Sequence, residues 1–213
     1  VVYHAINCIS HVLSRHLNAR GVTIIPNILE VYKSLFYTEV KPDPMLFGSE
    51  NEVMETKIEL NHPQILHGLF DGIITLMQLD PLSDDLEFLV KVACAALIVS
   101  YDLCLMSIAN FLANVLLNED TKDLVFKYFP VEMFKKILDL SIPPVSSSFC
   151  ALLHDMISCG YQDFEKLFLV IPDIKQTIQL DNVDVKRDAV LLLSILMLVL
   201  DEELFRDAIK KFS

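Results

Sequence analysis

His4, Cys8 and His11 stand at i, i+4 and i+7, a spacing that brings three metal-ligating side chains to one side of a helix. No clear fourth ligand is identifiable in the sequence, so the stripe reads as part of a packed helix, and neither a metal nor a cofactor is expected. His154 and Asp155 have the chemistry of a base and its orienting carboxylate. As sequence neighbours they are expected on different faces of a helix, which weakens a dyad. His62 and His67 flank the start of an apolar helix and read as structural. The sequence contains no G-x-S-x-G, no phosphate-binding P-loop, no H-E-x-x-H and no glycine-rich dinucleotide turn. The expectation is a protein that is not an enzyme.

The elements that position these residues are legible in composition. Of 213 residues, 53% are hydrophobic and 22% charged, enough apolar surface for a sizeable core and too much for a disordered chain. Five glycines disfavour all-β designs and phosphate-cradling loops, so helices are expected throughout. Seventeen Lys and Arg against 29 Asp and Glu give a net charge of -12, which argues against nucleic acid and favours a basic or neutral partner segment. The five cysteines are odd in number and form no C-x-x-C pair, which points to a reducing, intracellular compartment, cytoplasm or nucleus. The chain opens on Val1 with polar residues already at helical spacing, and reads as a piece of a longer protein.

Membrane insertion is not expected. The apolar run from Ala189 to Leu200 has twelve residues and is flanked by charges on both sides, whereas a spanning helix needs about 20. The longer stretch from Val92 to Leu117 is interrupted by Asp102 and carries Asn110 and Asn114.

Helical periodicity and turn residues predict many short helices, with breaks at Pro26, Pro63, Pro81, Asn118 to Asp120, Pro130, Pro143 and Pro144, Gly160, Pro172, and Asp181 with Asn182. Helices apolar on nearly all sides, such as Ala189 to Leu200, are expected to be covered by neighbours over most of their surface. A period near 40 residues runs through the pattern. Pro130 opens PVEMFKKILDL and Pro172 opens PDIKQTIQL, 42 residues later, each after a short amphipathic helix, Thr121 to Tyr128 and Asp163 to Leu169. Pro26 opens the similar PNILEVYKSLF. Ala5 to Leu13, Ser107 to Val115, Phe149 to Ile157 and Ala189 to Met197 register at about the same step.

These segments resemble the armadillo family, whose third helix reads roughly Ala-Leu-x-x-Leu-Ser-Asn-Leu-Ala. Ala5, Ile6, Ile9, Ser10 and Val12 match with His11 at the Asn position, and Leu112, Asn114 and Val115 match with the Asn present. Asp155 and Ile195 take that place in later units. The family's glycine between its first and second helices is replaced by Tyr128 and Phe129 before Pro130 and by Val170 and Ile171 before Pro172. The resemblance is therefore armadillo-like or HEAT-like. It implies an all-α, right-handed superhelical solenoid of about four to five repeats, running as one domain over residues 1–213.

The resemblance also implies a site, because armadillo proteins line their concave groove with the third helix of each unit. The polar residues of that stripe are Asn7, His11, Asn110, Asn114, Ser148, Asp155 and Asp188, and an Asn ladder can pair with the backbone of an extended peptide. Asn110 and Asn114 have the alternative role of bonding neighbouring helix ends. No Trp occurs in the sequence, which argues against a nuclear-import adaptor. Residues 38–61 break the rhythm with six carboxylates against two lysines and are expected to form an acidic insertion, with Met45, Leu46 and Phe47 as an apolar anchor. The function expected is a scaffold that binds a protein partner, an extended peptide or a helix, through the groove. The alternative is a structural spacer or self-association segment, since solenoid ends expose apolar faces.

Overall fold

Apolar residues at three- and four-residue spacings close into helices almost everywhere in a computed structural model that describes residues 4–6, 8–9, 12, 25–36, 39–40, 56–57, 63–77, 85–98 and 102–200. In chain order the helices with described bounds are α1 (Ile25–Phe36), α2 (Pro63–Met77), α3 (Leu86–Ala95), α4 (Asp102–Leu116), α5 (Lys122–Tyr128), α6 (Met133–Asp139), α7 (Pro143–Ser158), α8 (Phe164–Thr177) and α9 (Val183–Val199). The fold is all-α. Among the described residues the strands are β1 (Glu39–Val40) and β2 (Thr56–Lys57), an antiparallel pair with Glu39 opposite Lys57 and Val40 opposite Thr56. That short ladder joins the two ends of the expected insertion at 38–61.

The chain divides into two compact units, Val1–Phe111 and Leu112–Ser213. In the first, Leu66, Leu69, Phe70, Ile73 and Leu76 of α2 are sealed from solvent, as are Leu89, Val90 and Ala93 of α3 and Ile108 and Phe111 of α4. Phe70 and Phe111 pack with ring centroids 5.5 Å apart, tilted by 40°. Each large apolar side chain so covered contributes about 1.5–3 kcal/mol. Lys33 of α1 forms ion pairs with Glu30, at 3.0 Å, and with Asp85 just before α3. The apolar stretch from Val92 is broken as its polar residues suggest: α3 ends in a 3-10 turn at Ala96–Ile98, and a new helix starts at Asp102.

In the second unit, turn chemistry sets the helix ends. Phe129 is extended (φ -70°, ψ 117°), as the residue before a proline prefers, and it turns into the core to stack on Phe149 at 6.5 Å. Pro143 and Pro144 occupy the first turn of α7, where their missing N–H groups cost nothing. After α7, Gly160 has φ 105°; its N–H reaches the Ile157 carbonyl and the Tyr161 N–H reaches that of Met156, both at 3.0 Å. This is a Schellman closure, with glycine in the left-handed position it requires. Asp163 caps α8 through the Lys166 N–H at 3.3 Å, and Asn182 caps α9 through the Val185 N–H at 3.1 Å.

Two sequence expectations are corrected. Pro172 does not break the chain; it lies inside α8. The helix runs through because Leu167, Val170, Ile171, Ile174 and Thr177 are all buried, and this outweighs the lost backbone bond at a proline. Nor is α9 covered on most sides. Val185, Ala189, Leu192 and Leu196 form one buried stripe, while Val190, Leu191, Met197 and Leu198 are 48–84% exposed. An apolar run reports the composition of a helix, and packing against α7 and α8 still leaves the other faces of α9 open.

Candidate functional site

α4 carries Asn110, exposed, and Asn114, half-buried, one turn apart on one face of the helix. On α7 the Ser148 hydroxyl donates to the Pro144 carbonyl of its own helix at 2.9 Å, and Asp155 is exposed. His154 and Asp155 do meet, contrary to the expectation from their adjacency: Nδ1 and Oδ1 lie 3.1 Å apart. Both side chains sit at the surface and bend toward each other across the roughly 100° that separates successive helical positions.

Asp188 of α9 is 7% exposed and sits between two donors. The Ser147 hydroxyl of α7 donates to one oxygen, and Arg187 Nε donates to the other at 2.7 Å. Burial pushes its carboxyl up, but the Arg187 and Ser147 hydrogen bonds and the charges of Arg187 and His154 outweigh that and hold it below the usual carboxylate value. Asn7 and His11 lie outside the described residues, as do Met45, Leu46 and Phe47. His4 and Cys8 are helical and exposed. No cluster of three His, Cys, Asp or Glu side chains suited to a metal ion occurs among the described residues. No helix among them is long and apolar enough to cross a membrane.

A cluster that sequence reasoning missed joins α2 to α4. Ser107 Oγ donates to Asp71 Oδ1 at 2.7 Å and lies 2.6 Å from His67 Nδ1, with Asp71 Oδ2 3.6 Å from the same nitrogen. The residue types are those of an acyl-transfer triad, but the order is not. There the serine proton goes to an imidazole nitrogen whose opposite nitrogen faces the carboxylate; here the serine proton goes to the carboxylate, and serine and carboxylate meet the same nitrogen. Ser107 is 3% exposed, which suits a polar tie between two helices.

An open polar groove lies between α6 and α8. A cavity of about 600 Å³ is lined by Lys135, Leu169, Pro172, Asp173, Lys175, Gln176 and Gln179. It shares walls with cavities of about 180 Å³, beside Glu132 and Lys166, and about 40 Å³, beside Ser141 and Thr177. Its centre is the ion pair of Lys135 Nζ with Asp173 Oδ1 at 2.9 Å, and the hydrogen bond to Asp173 holds the Lys135 ammonium above its usual pKa. Lys166 is shared between Glu132 at 3.4 Å and Asp163 at 3.5 Å. Lys175 has no ion-pair partner among the described residues.

Comparison with known proteins finds no matching family model, curated protein or solved structure.

The groove was missed because its residues belong to the segments opened by Pro130 and Pro172, and reading for a third-helix ladder passes over them. A signal was present. Lys135 and Asp173 stand one helical turn out of register in two segments offset by 42 residues, so opposite charges about one repeat apart foreshadow a contact between equivalent elements.

Proposed function

We propose that the chain is a non-catalytic protein-interaction module built on armadillo-like or HEAT-like helical repeats, stacked as a right-handed solenoid of about four to five units. One observation carries this reading: polar contacts between helices recur at a step of about 40 residues. The separations are 40 for His67–Ser107, 36 for Asp71–Ser107, 38 for Lys135–Asp173, 41 for Ser147–Asp188 and 43 for Cys159–Leu116. Within each unit, segments one repeat apart are neighbours, α2 beside α4 and α7 beside α9. Stacks of this kind present a long surface of side chains from successive repeats, which suits a peptide or helix of a partner protein. Five free thiols, three of them buried, fit a reducing compartment, cytoplasm or nucleus.

The test is capture from cell lysate with the wild-type chain and with an Asn110→Ala, Asn114→Ala, Asp155→Arg variant of matching helicity and melting. Loss of specific partners from the variant alone supports binding along the third-helix polar stripe. Recovery of identical proteins by both removes that stripe from the reading.

The exposed stripe of α9 favours a second reading, a structural or self-association segment. Val190, Leu191, Met197 and Leu198 form an apolar surface on one helix. Concentration-dependent dimerisation in light scattering, abolished by Leu198→Lys, supports it; a monomer at high concentration rejects it.

A further inference from the structure

The groove between α6 and α8 holds a lysine that its carboxylates do not engage, since Glu132, Asp139, Asp163 and Asp173 pair with Lys135 and Lys166. The chain has a net charge of -12, yet Lys135, Lys166 and Lys175 line the two larger cavities against Glu132 and Asp173. Lys135 and Lys166 are engaged by carboxylates, which leaves Lys175 as the cation offered to a ligand. One turn and less from it, Gln176 and Gln179 are exposed, and a primary amide both donates and accepts. Leu169, 66% exposed, lies on the same wall and offers apolar contact.

The shape is that of a track. From Lys166 to Gln179 the α8 wall extends about 20 Å at 1.5 Å per residue, which matches about six residues of extended chain at roughly 3.3 Å each. Two glutamine amides along such a track can pair with a peptide backbone irrespective of its sequence, while the ammonium selects a carboxylate. The negative field of the whole chain opposes an acidic partner at long range. Beyond a Debye length of about 8 Å at physiological salt that field is screened, and the local cation decides.

We infer that the α6–α8 groove binds an extended, carboxylate-bearing peptide segment of a partner protein, with an acidic side chain on Lys175 and its backbone on Gln176 and Gln179. This rests on reading the chain as a protein-interaction module and names a surface and a partner chemistry for it.

The probe is a set of fluorescein-labelled 12-residue peptides of Leu, Ser and Ala bearing two Glu, with matched sets in which Gln or Lys replaces Glu. Binding is read by fluorescence anisotropy, and hydrogen exchange locates the protected helices. The expected result is preference for the Glu set, protection of α6 and α8, and at least a tenfold loss of affinity in Lys175→Glu. Lys175→Arg retains binding, and Gln176→Ala with Gln179→Ala weakens it. Lys175, Gln176 and Gln179 form no part of the buried core, and equal melting temperatures confirm that each variant is folded. Glu peptides binding no better than Gln peptides, or binding unmoved by Lys175→Glu, overturns the inference. Peptide binding that depends on Asn114 and not on Lys175 overturns the groove and leaves the interaction module standing; no binding by any set counts against both.

Discussion

Lys135 Nζ lies 2.9 Å from Asp173 Oδ1, and the two ends of this pair are in different surroundings: the lysine side chain is 60% exposed and the aspartate 9%. Removing one end is therefore not equivalent to removing the other. Asp173→Asn leaves an ammonium that water can solvate, and is expected to cost under about 1 kcal/mol. Lys135→Met leaves a buried carboxylate without its cation, and is expected to cost about 1–3 kcal/mol. Urea unfolding of both single variants and the double variant measures the asymmetry and the coupling; equal costs for the two single changes reject it.

The parts of the fold set by local chemistry are legible in the sequence. Pro63, Pro143 and Pro144 start helices, Gly160 ends one, and Asn182 caps one, because each acts through its own backbone or its nearest neighbours. Pro130 and Pro172 read alike in sequence and differ in structure. Phe129 finds a stacking partner in Phe149 and leaves the helix, whereas Ile171 is buried on a face of α8 that continues through the proline. The same limit applies to the site. Asp188 was visible as a polar residue at the head of an apolar helix, but Ser147, whose hydroxyl satisfies it from α7, is set by the packing of two helices. The α6–α8 groove needed that packing as well, since no single segment contains both of its walls.

Asp188 makes stability depend on pH. Its carboxyl is held below the usual value, so its contribution is complete above the unfolded value near 3.8 and is lost as pH falls through the lower folded value. At pH 7, Asp188→Asn is expected to cost about 1–3 kcal/mol, because the variant keeps a hydrogen-bonding group but loses the charge that faces Arg187. The gap in melting temperature between wild type and variant closes as pH is lowered below 4. A gap that stays constant from pH 7 to pH 2 excludes the carboxylate as its source.

Two backbone positions predict changes of opposite sign. Gly160 has φ 105° and no atom within 4 Å of where a Cβ would stand, so Gly160→Ala pays only for backbone strain, about 1–2 kcal/mol of lost stability. Ser141, between α6 and α7, holds φ 54° with its N–H on the Leu138 carbonyl at 2.9 Å. Ser141→Gly relieves that strain against a greater loss of chain freedom, for a net gain of about 0.5 kcal/mol. Chemical denaturation with unchanged m-values checks both; a stabilising Gly160→Ala contradicts the Schellman closure after α7.

Thiol chemistry separates the five cysteines by burial. Burial, with a smaller effect of the Asp71 charge, pushes Cys104 up to about 12, and burial with the Asp188 charge does the same for Cys150. Burial raises Cys94 further still. At pH 8 a thiol with a pKa near 12 is thiolate about one part in 10⁴, and the thiolate is the nucleophile. Cys8 is exposed, and Cys159 is half-buried with its thiol 3.8 Å from the Leu116 carbonyl. Iodoacetamide at pH 8, followed by peptide mass spectrometry, is expected to label Cys8 first and Cys159 more slowly. Cys94, Cys104 and Cys150 are labelled only as the chain unfolds, so their rates follow urea concentration through the unfolding transition. Labelling of Cys104 or Cys150 as fast as Cys8 in the native protein contradicts the packing of α4 and α7, because each thiol is sealed by the same apolar contacts that hold those helices in place.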